Sequence, residues 1–375
     1  MLAEDVVRVG REAGLDAVGI ASAEPFDDVR ATLEERKRAG LHGGMAFTYR
    51  NPSRSTDPSR TLPGAAALVV GARSYHATER DEPPRERRPL ADVARYSWED
   101  SYEPLRAALG EVARCLEAAG YRAKVLVDDN ALVDRAAAHR AGLGWYGKNA
   151  NLLLPGMGSW FVLGSVVTDA PLAATAGEPV EDGCGSCDRC LPACPTGAIV
   201  APGVIDARRC LAWLLEAPGV FPREHRVALG ARMYGCDECQ EACPPNKVAI
   251  RRRPSPVASE RAEPTVDVLH VLAPTTSDVE LLGRFGRWYV PERDARYLRR
   301  NALIVLGNVG DPAHRGTTTA VARSLADDDP MLRAHAVWAA ARLGVMDSAL
   351  DAMAETERDP LVLAELGERP PPRRG

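Results

Sequence analysis

Two periods of apolar and polar residues alternate over the first half of the chain. In DVVRVGREAG, FDDVRATLEERKRAG, EPLRAALGEVARCLEAAG and ALVDRAAAHRAG the apolar positions recur three and four residues apart with charges between them, which predicts amphipathic helices. The stretches DAVGIAS, AALVVGARSY, AKVLVDD and WFVLGSVVTD are short, apolar and rich in β-branched residues, which predicts four strands. Helices alternating with strands over residues 1–175 predict an α/β or α+β domain around one buried sheet. Between the second strand and the next helix, RDEPPRERRPLADVARYSWEDSYEP is dense in proline and charge and reads as a long surface excursion.

Over residues 176–262 the periodicity disappears and gives way to short turns and prolines that follow cysteines; RRRPSPVASERAEP reads as the linker that leaves this segment. Helical periodicity returns over residues 263–375. Aligning Leu298 in RYLRRNALIVLGNVGD with Leu332 in MLRAHAVWAAARLGVMD gives a 34-residue internal repeat, the signature of a short helical module of the HEAT kind. The final GERPPPRRG is expected to be disordered. The overall expectation is an α+β protein of three consecutive domains, 1–175, 176–262 and 263–375.

Charge and composition narrow the function little. A net charge of -5 and a pI near 5.9 give no global reason to bind nucleic acid, although a local basic face stays possible. No apolar run approaches the roughly 18 residues needed to span a membrane, and the acidic, amphipathic MLAEDVVRVGREAG lacks the layout of a secretory signal, so a cytoplasmic protein with no membrane partner is expected.

Cysteine placement changes the picture. Eight of the nine cysteines lie between positions 184 and 243, whereas a secreted disulfide framework would spread them through a small domain; Cys115, within EVARCLEAAG, is expected to be a small core residue. The order is C-x2-C-x2-C-x3-C-P from Cys184, then Cys210, then C-x2-C-x3-C-P from Cys236. Structural zinc takes ligands in C-x2-C pairs and leaves a third and fourth regularly spaced cysteine without a role. The first run has instead the bacterial ferredoxin spacing, in which three thiolates hold one cubane and the fourth reaches the other. Two [4Fe-4S] clusters follow, one held by Cys184, Cys187, Cys190 and Cys243, the other by Cys194, Cys210, Cys236 and Cys239. The second run is one cysteine short, a place that Cys210 fills from a distance. Such a pair moves single electrons, and a ferredoxin alone needs only about sixty residues. The remaining chain must therefore hold an acceptor or a partner.

The motifs VDDNALVDRAAAHRAGLGWYGKNANLLLPGMGSWFVLGSVVTD, GCGSCDRCLPACPTGAI, IDARRC, YGCDECQEACPPN and YLRRNALIVLGN, in that order, closely resemble the epoxyqueuosine reductase family, over roughly residues 10–345. The resemblance implies an N-terminal cobalamin-binding α/β domain, a two-cluster ferredoxin-like domain and a C-terminal HEAT-like module that helps hold a tRNA anticodon arm. It also implies a monomer that removes the epoxide oxygen of epoxyqueuosine, fed by an external reductant of flavodoxin or ferredoxin type. Reductive opening of an epoxide leaves an alkoxide that needs a proton donor beside it, and the residue matching the family's acid is Asp128. Arg50, Leu152, Leu163, Ala212 and Asp237 match cobalamin-contacting positions, and Arg135 a tRNA-contacting one. Asp129 and Asp134 read as a strand-end turn and a solvated helix face.

Two local features are read from the residues themselves. Gly142, Gly144 and Gly147 spell G-x-G-x-x-G, but no helix pattern follows, so a phosphate loop is not expected. In RFGRWYVPERDARYLRR, six arginines are interleaved with Phe285, Trp288, Tyr289 and Tyr297; Arg287, Arg296, Arg299 and Arg300 are expected to face RNA and the aromatics to be buried. Asp100-Ser101-Tyr102-Glu103, Asp128-Asp129-Asn130-Ala131 and Cys243-Pro244-Pro245-Asn246 depart from the usual family motifs. Two alternatives follow, a cobalamin-dependent, dehalogenase-like reductase of a small molecule and a non-catalytic electron-transfer adaptor.

Overall fold

The structure, a computed structural model, describes residues 2–80, 88–175 and 180–373; part of the proline-rich excursion, the expected boundary at 176 and the last two residues of the tail lie outside them. By internal contacts the chain forms two compact units. One comprises the chain up to Thr78, Glu99–Cys210 and Asp237–Ala258; the other comprises Glu79–Trp98, Leu211–Cys236 and everything from Ser259 onward. The units therefore interleave in sequence and do not follow three consecutive blocks. The physical reason is strand pairing: Leu90–Val93, inside the expected surface excursion, pairs in parallel with Arg232–Tyr234 and antiparallel with Thr265–Asp267. That small sheet draws the middle of the cysteine segment into the second unit.

The first unit is built on helix α1 (Leu2–Glu12), strand β1 (Ala17–Ser22), helix α2 (Asp27–Arg38), strand β2 (Ala67–Ser74), helix α3 (Tyr102–Ala118), strand β3 (Ala123–Val127), helix α4 (Asp134–Arg140) and strand β4 (Phe161–Thr168). The strands form one antiparallel sheet in the order β1-β2-β4-β3. Alternation along the strands sends Val18, Ile20, Val69, Val162 and Val166 to one face, where Leu105, Leu109, Val112 and Leu116 of α3 and Val6 of α1 cover them. Leu68, Val70, Ala72 and Val167 go to the other face, against Phe26 beside α2 and Ala136, Ala137 and Ala138 of α4. Each fully buried leucine or valine contributes about 1.5–3 kcal/mol. Cys115 packs against the first of these clusters, as expected. The fold is thus a mixture of helix and antiparallel sheet, and no described helix is long and apolar enough to cross a membrane.

The second unit continues into helices α5 (Arg296–Val309), α6 (Arg315–Leu325), α7 (Pro330–Leu343), α8 (Asp347–Thr356) and α9 (Pro360–Gly367), with α5 packed on α7 and α7 on α9. The starts of α5 and α7 follow the 34-residue repeat of the sequence. The tail is ordered as far as Arg373, contrary to expectation. Its backbone N–H donates to Arg342 O at 2.9 Å, and its guanidinium donates to the carbonyls of Asn308 and Gly310. Those carbonyls close α5 and would otherwise lack partners, so the arginine caps the helix end.

His335 of α7 is fully buried. Its Nδ1 faces Met331 O at 2.7 Å and its Nε2 faces the Phe221 N–H at 3.3 Å, which fixes the neutral tautomer with the proton on Nδ1. Burial first, and then Arg226, push its pKa well below the usual value. In the unfolded chain this imidazole titrates near 6.5, so below about pH 6.5 the unfolded state binds a proton that the folded state refuses. His335 therefore costs the native state about 1.4 kcal/mol per pH unit as pH falls below that point. Denaturation of wild type and His335→Gln between roughly pH 5 and 7 tests this: the variant's stability should fall less steeply with acid, and equal slopes would remove the assignment.

Candidate active site

Strands β2 and β3 end, and β4 begins, at one edge of the sheet, Ser74 opposite Phe161 and Val127 opposite Gly164. That edge carries Tyr75, Asp128 and the Ser159-Trp160 pair. Asp128 has a left-handed backbone, φ 52°, a conformation that costs a non-glycine residue about 1–3 kcal/mol and is held only when its surroundings over-determine it. Here the turn is tied on several sides. Asp129 Oδ1 accepts from the Ala131 N–H at 2.8 Å, Asn130 Oδ1 accepts from the Thr48 N–H at 2.9 Å, and the Val133 N–H donates to Ser55 O at 3.1 Å. The loop that carries Arg50 is thereby joined to the Asp128 turn, with Arg50 itself exposed. Leu152 is buried and Leu163 half-buried in the cluster of Leu126 and Leu132 beneath that turn.

Asp128 is exposed by surface area, yet enough protein surrounds its carboxyl to disfavour the charged form. This partial burial raises its pKa, opposed by Arg106 and reinforced by Asp129 and Asp100. Asp134 does not sit on a solvated helix face. It is half-buried at the start of α4, and burial, reinforced by Asp128 against Arg135, pushes its pKa well above the usual carboxylate range. Arg135 is exposed and donates through Nη1 to Ala150 O at 3.2 Å.

The cysteine-bearing segment is fastened to the same sheet edge by a buried amide and hydroxyl network. Asn246 Oδ1 accepts from the Ser159 N–H at 2.6 Å, and its Nδ2 donates to Gln240 O at 2.8 Å. Ser159 Oγ donates to Gln240 Oε1 at 3.0 Å, and Gln240 Nε2 donates to the Tyr75 hydroxyl at 3.2 Å. Asn149 Nδ2 adds a bond to Cys239 O at 3.1 Å. Asp237 sits at the N-terminal end of the short helix Glu238–Glu241, and its charge acts on Tyr75, whose hydroxyl pKa is raised chiefly by burial. Tyr75 and the Gln240–Ser159–Asn246 network were not singled out from the sequence. The visible signals were the tyrosine closing AALVVGARSY and the asparagine after the cysteine-proline pair.

Two thiols of the first expected set lie together. Cys243 is buried beside Cys184 in a cluster with Trp145, Leu153 and Val180. Its pKa is pushed up to about 11, first by burial and then by the charges of Cys184, Cys190 and Cys187. In the other set, burial raises the Cys194 pKa but backbone N–H donors outweigh it, one of them Ala198 N at 3.1 Å from Sγ, and the net shift is downward. N–H donors aimed at a thiolate suit a cluster ligand. Cys184, Cys187, Cys190, Cys194 and Cys243 form no disulfide. The glycine run is no phosphate loop: a Cβ on Gly144 would lie 2.1 Å from Leu153 O, so glycine is there to let Trp145–Tyr146 pair with Leu152–Leu153.

In the second unit, Ala212 lies half-buried on the helix Leu211–Glu216. Two of the expected RNA-facing arginines are structural. Arg300 is fully buried, donating to Ala217 O, Gly219 O, Leu214 O and Leu215 O. Arg287 donates to Ser97 O and pairs with Glu263 at 2.8 Å, with only 14% of its side chain exposed. Arg300 has no donor left for a phosphate, and Arg287 commits each of its three nitrogens to Ser97, Arg284 or Glu263. Arg299 pairs with Asp278 and is 20% exposed, while Arg296 stays 39% exposed and pairs with Asp294 at 3.0 Å. Phe285, Trp288 and Tyr297 are buried as expected, and Tyr289 is exposed.

Comparison with known proteins gives a consistent picture. Residues 183–246, which hold all eight clustered cysteines, match the 4Fe-4S double cluster binding domain family. Epoxyqueuosine reductase of Bacillus cereus is 31% identical over 97% of this chain and 96% of its own length, and that of Bacillus subtilis is 32% identical over 92% and 88%. A crystal structure of epoxyqueuosine reductase with an epoxyqueuosine-modified tRNA-Tyr stem loop superposes with a TM-score of 0.86 at 30% identity, covering 97% of this chain and 96% of that one.

Proposed function

The chain belongs to the epoxyqueuosine reductase family, and we propose that it reduces the epoxide of epoxyqueuosine at the wobble position of tRNA to queuosine, with Asp128 as the proton donor. The observation that carries this reading is the meeting of a crowded carboxyl and the cluster-bearing segment at one edge of one sheet. Cys184, Cys187, Cys190 and Cys243 hold one [4Fe-4S] cluster, and Cys194, Cys210, Cys236 and Cys239 the other. Cobalamin fits beside Asp128. Phe47, in the Arg50 loop, and Tyr146, after Trp145, are large exposed aromatics in the first unit, and a broad macrocycle would cover such surface. Arg50, Leu152, Leu163 and Asp237, all in the first unit, are the residues assigned to hold it. When bound, it supplies the low-potential electrons for carbon-oxygen cleavage, replenished through the clusters from an external reductant of flavodoxin or ferredoxin type.

The chain's own part in the reaction is proton placement. The Asp128 turn fixes the carboxyl at the end of β3, and partial burial, then Asp129 and Asp100 against Arg106, disfavour its ionised form. A bound macrocycle and nucleoside would exclude the remaining water and favour the acid further. Protonated Asp128 then delivers its proton to the epoxide oxygen as one carbon-oxygen bond breaks; the second bond breaks as that oxygen leaves as water, the whole change taking up two electrons and a second proton. Arg135 and Arg296 are the assigned tRNA contacts, with the stacked helices of the second unit read as a HEAT-like module beneath the anticodon arm. Anaerobically reconstituted protein with cobalamin, reductant and epoxyqueuosine-containing tRNA should convert the nucleoside to one lighter by a single oxygen, read by mass spectrometry. An unchanged nucleoside with fully loaded cofactors would refute the assignment.

A further inference from the structure

Trp145 is 8% exposed, and among the described residues its indole Nε1 is buried without a hydrogen-bond partner. Indole nitrogen can only donate, and a buried donor left unsatisfied costs about 1–3 kcal/mol. Such groups are rare enough that each calls for an acceptor. The surroundings limit what that acceptor can be. Trp145 packs with Leu153 and Val180, whose side chains offer none, and with Cys184 and Cys243, whose side chains offer sulfur. The benzo ring of the indole lies against the start of the first cysteine run: a Cβ on Gly183 would stand 2.6 Å from Cζ2 and 3.0 Å from both Cη2 and Cε2, the last being the carbon bonded to Nε1. Only glycine before Cys184 lets the backbone pass that close.

We infer that the Trp145 N–H donates a hydrogen bond to a sulfur of the cluster held by Cys184, Cys187, Cys190 and Cys243, and sets that cluster's reduction potential apart from the other's. The inference rests on the two-cluster reading above. A reduced cluster carries one more negative charge than its oxidised form, so a donor aimed at its sulfur stabilises the reduced state and raises the potential. Trp145 therefore makes this cluster easier to reduce than its ligands alone would. The residue is a positioning and tuning group that touches neither substrate nor the reacting carbon.

The test is Trp145→Phe, which keeps an aromatic ring and deletes the donor, in protein reconstituted with both clusters. EPR-monitored redox titration should show one cluster's reduction equilibrium weakened about tenfold, a shift of about 59 mV to lower potential for a one-electron couple, and the other unmoved. Two unmoved potentials, or equal shifts in both, would overturn the inference. Should the variant take up iron incompletely, wild type labelled with 15N-tryptophan decides. Pulsed EPR of the reduced protein should show a 15N coupling to one cluster, and its absence overturns the inference. Iron and sulfide analysis of wild type separates the two levels: content short of two cubanes sinks the cluster reading and the inference with it, whereas full content with no nitrogen coupling sinks the inference alone.

Discussion

Asp128→Asn should lower turnover by about a hundred- to ten-thousand-fold, the usual contribution of a positioned general acid, while leaving iron content, cobalamin affinity and tRNA affinity in place. Asparagine is nearly isosteric with aspartate and, of the non-glycine residues, is among the most tolerant of a left-handed backbone, so the φ of 52° at this position gives no reason for misfolding. The variant should be at least as stable as wild type at neutral pH. The sign follows from the raised pKa of Asp128: its folded-state carboxyl resists ionisation, so the stability it contributes is present at low pH and lost as pH rises through the raised value. Catalysis carries the same signature. The protonated form is the working form, so the wild-type single-turnover rate should fall as pH rises through the acid's pKa, and the variant's residual rate should lack that limb. Single-turnover conversion of epoxyqueuosine across pH, followed by nucleoside mass spectrometry, reads both. A variant within a few-fold of wild type would show that the proton comes from elsewhere, with Asp134 the nearest candidate.

The four strands and the helices around the sheet were legible because burial on one side leaves a period of two or about 3.6 in the residues. Cys184 to Cys243 were legible for another reason, since cluster geometry fixes ligand spacing directly. Leu90–Val93 was hidden because a four-residue strand with Asp92 inside it leaves little alternation amid prolines and charges. The interleaving of the two units was hidden because it depends on pairing between segments more than a hundred residues apart. The same holds for Trp145. Its place in a buried glycine-rich hairpin can be guessed from Gly144 and Gly147, but the lack of a partner for its N–H exists only once Gly183 and Cys243 have been folded against it.

Arg300 is where charge in the sequence misled most, and its substitution should have the second large effect, on stability and not on RNA. The guanidinium is fully buried and donates at 2.7 and 2.6 Å to Ala217 O and Gly219 O, and at 3.2 and 3.1 Å to Leu214 O and Leu215 O. Those last two are carbonyls near the end of the short helix Leu211–Glu216, which has no further turn to satisfy them. Burial lowers the arginine's pKa to about 9, so it remains a cation at neutral pH and works as a fixed fork of donors. Arg300→Met would leave several buried carbonyls unpartnered and should cost about 3–5 kcal/mol, the scale on which a buried charged network is broken by removal of one member. Arg300→Lys keeps the charge but not the fork, and should recover only part of that loss. Thermal and denaturant unfolding of both variants, beside tRNA binding measured per folded molecule against salt, distinguishes a structural pin from a phosphate contact. A pin lowers stability and leaves the salt dependence of binding alone. A phosphate contact would do the reverse, weakening binding and flattening its salt dependence by about one counterion while the fold stays intact.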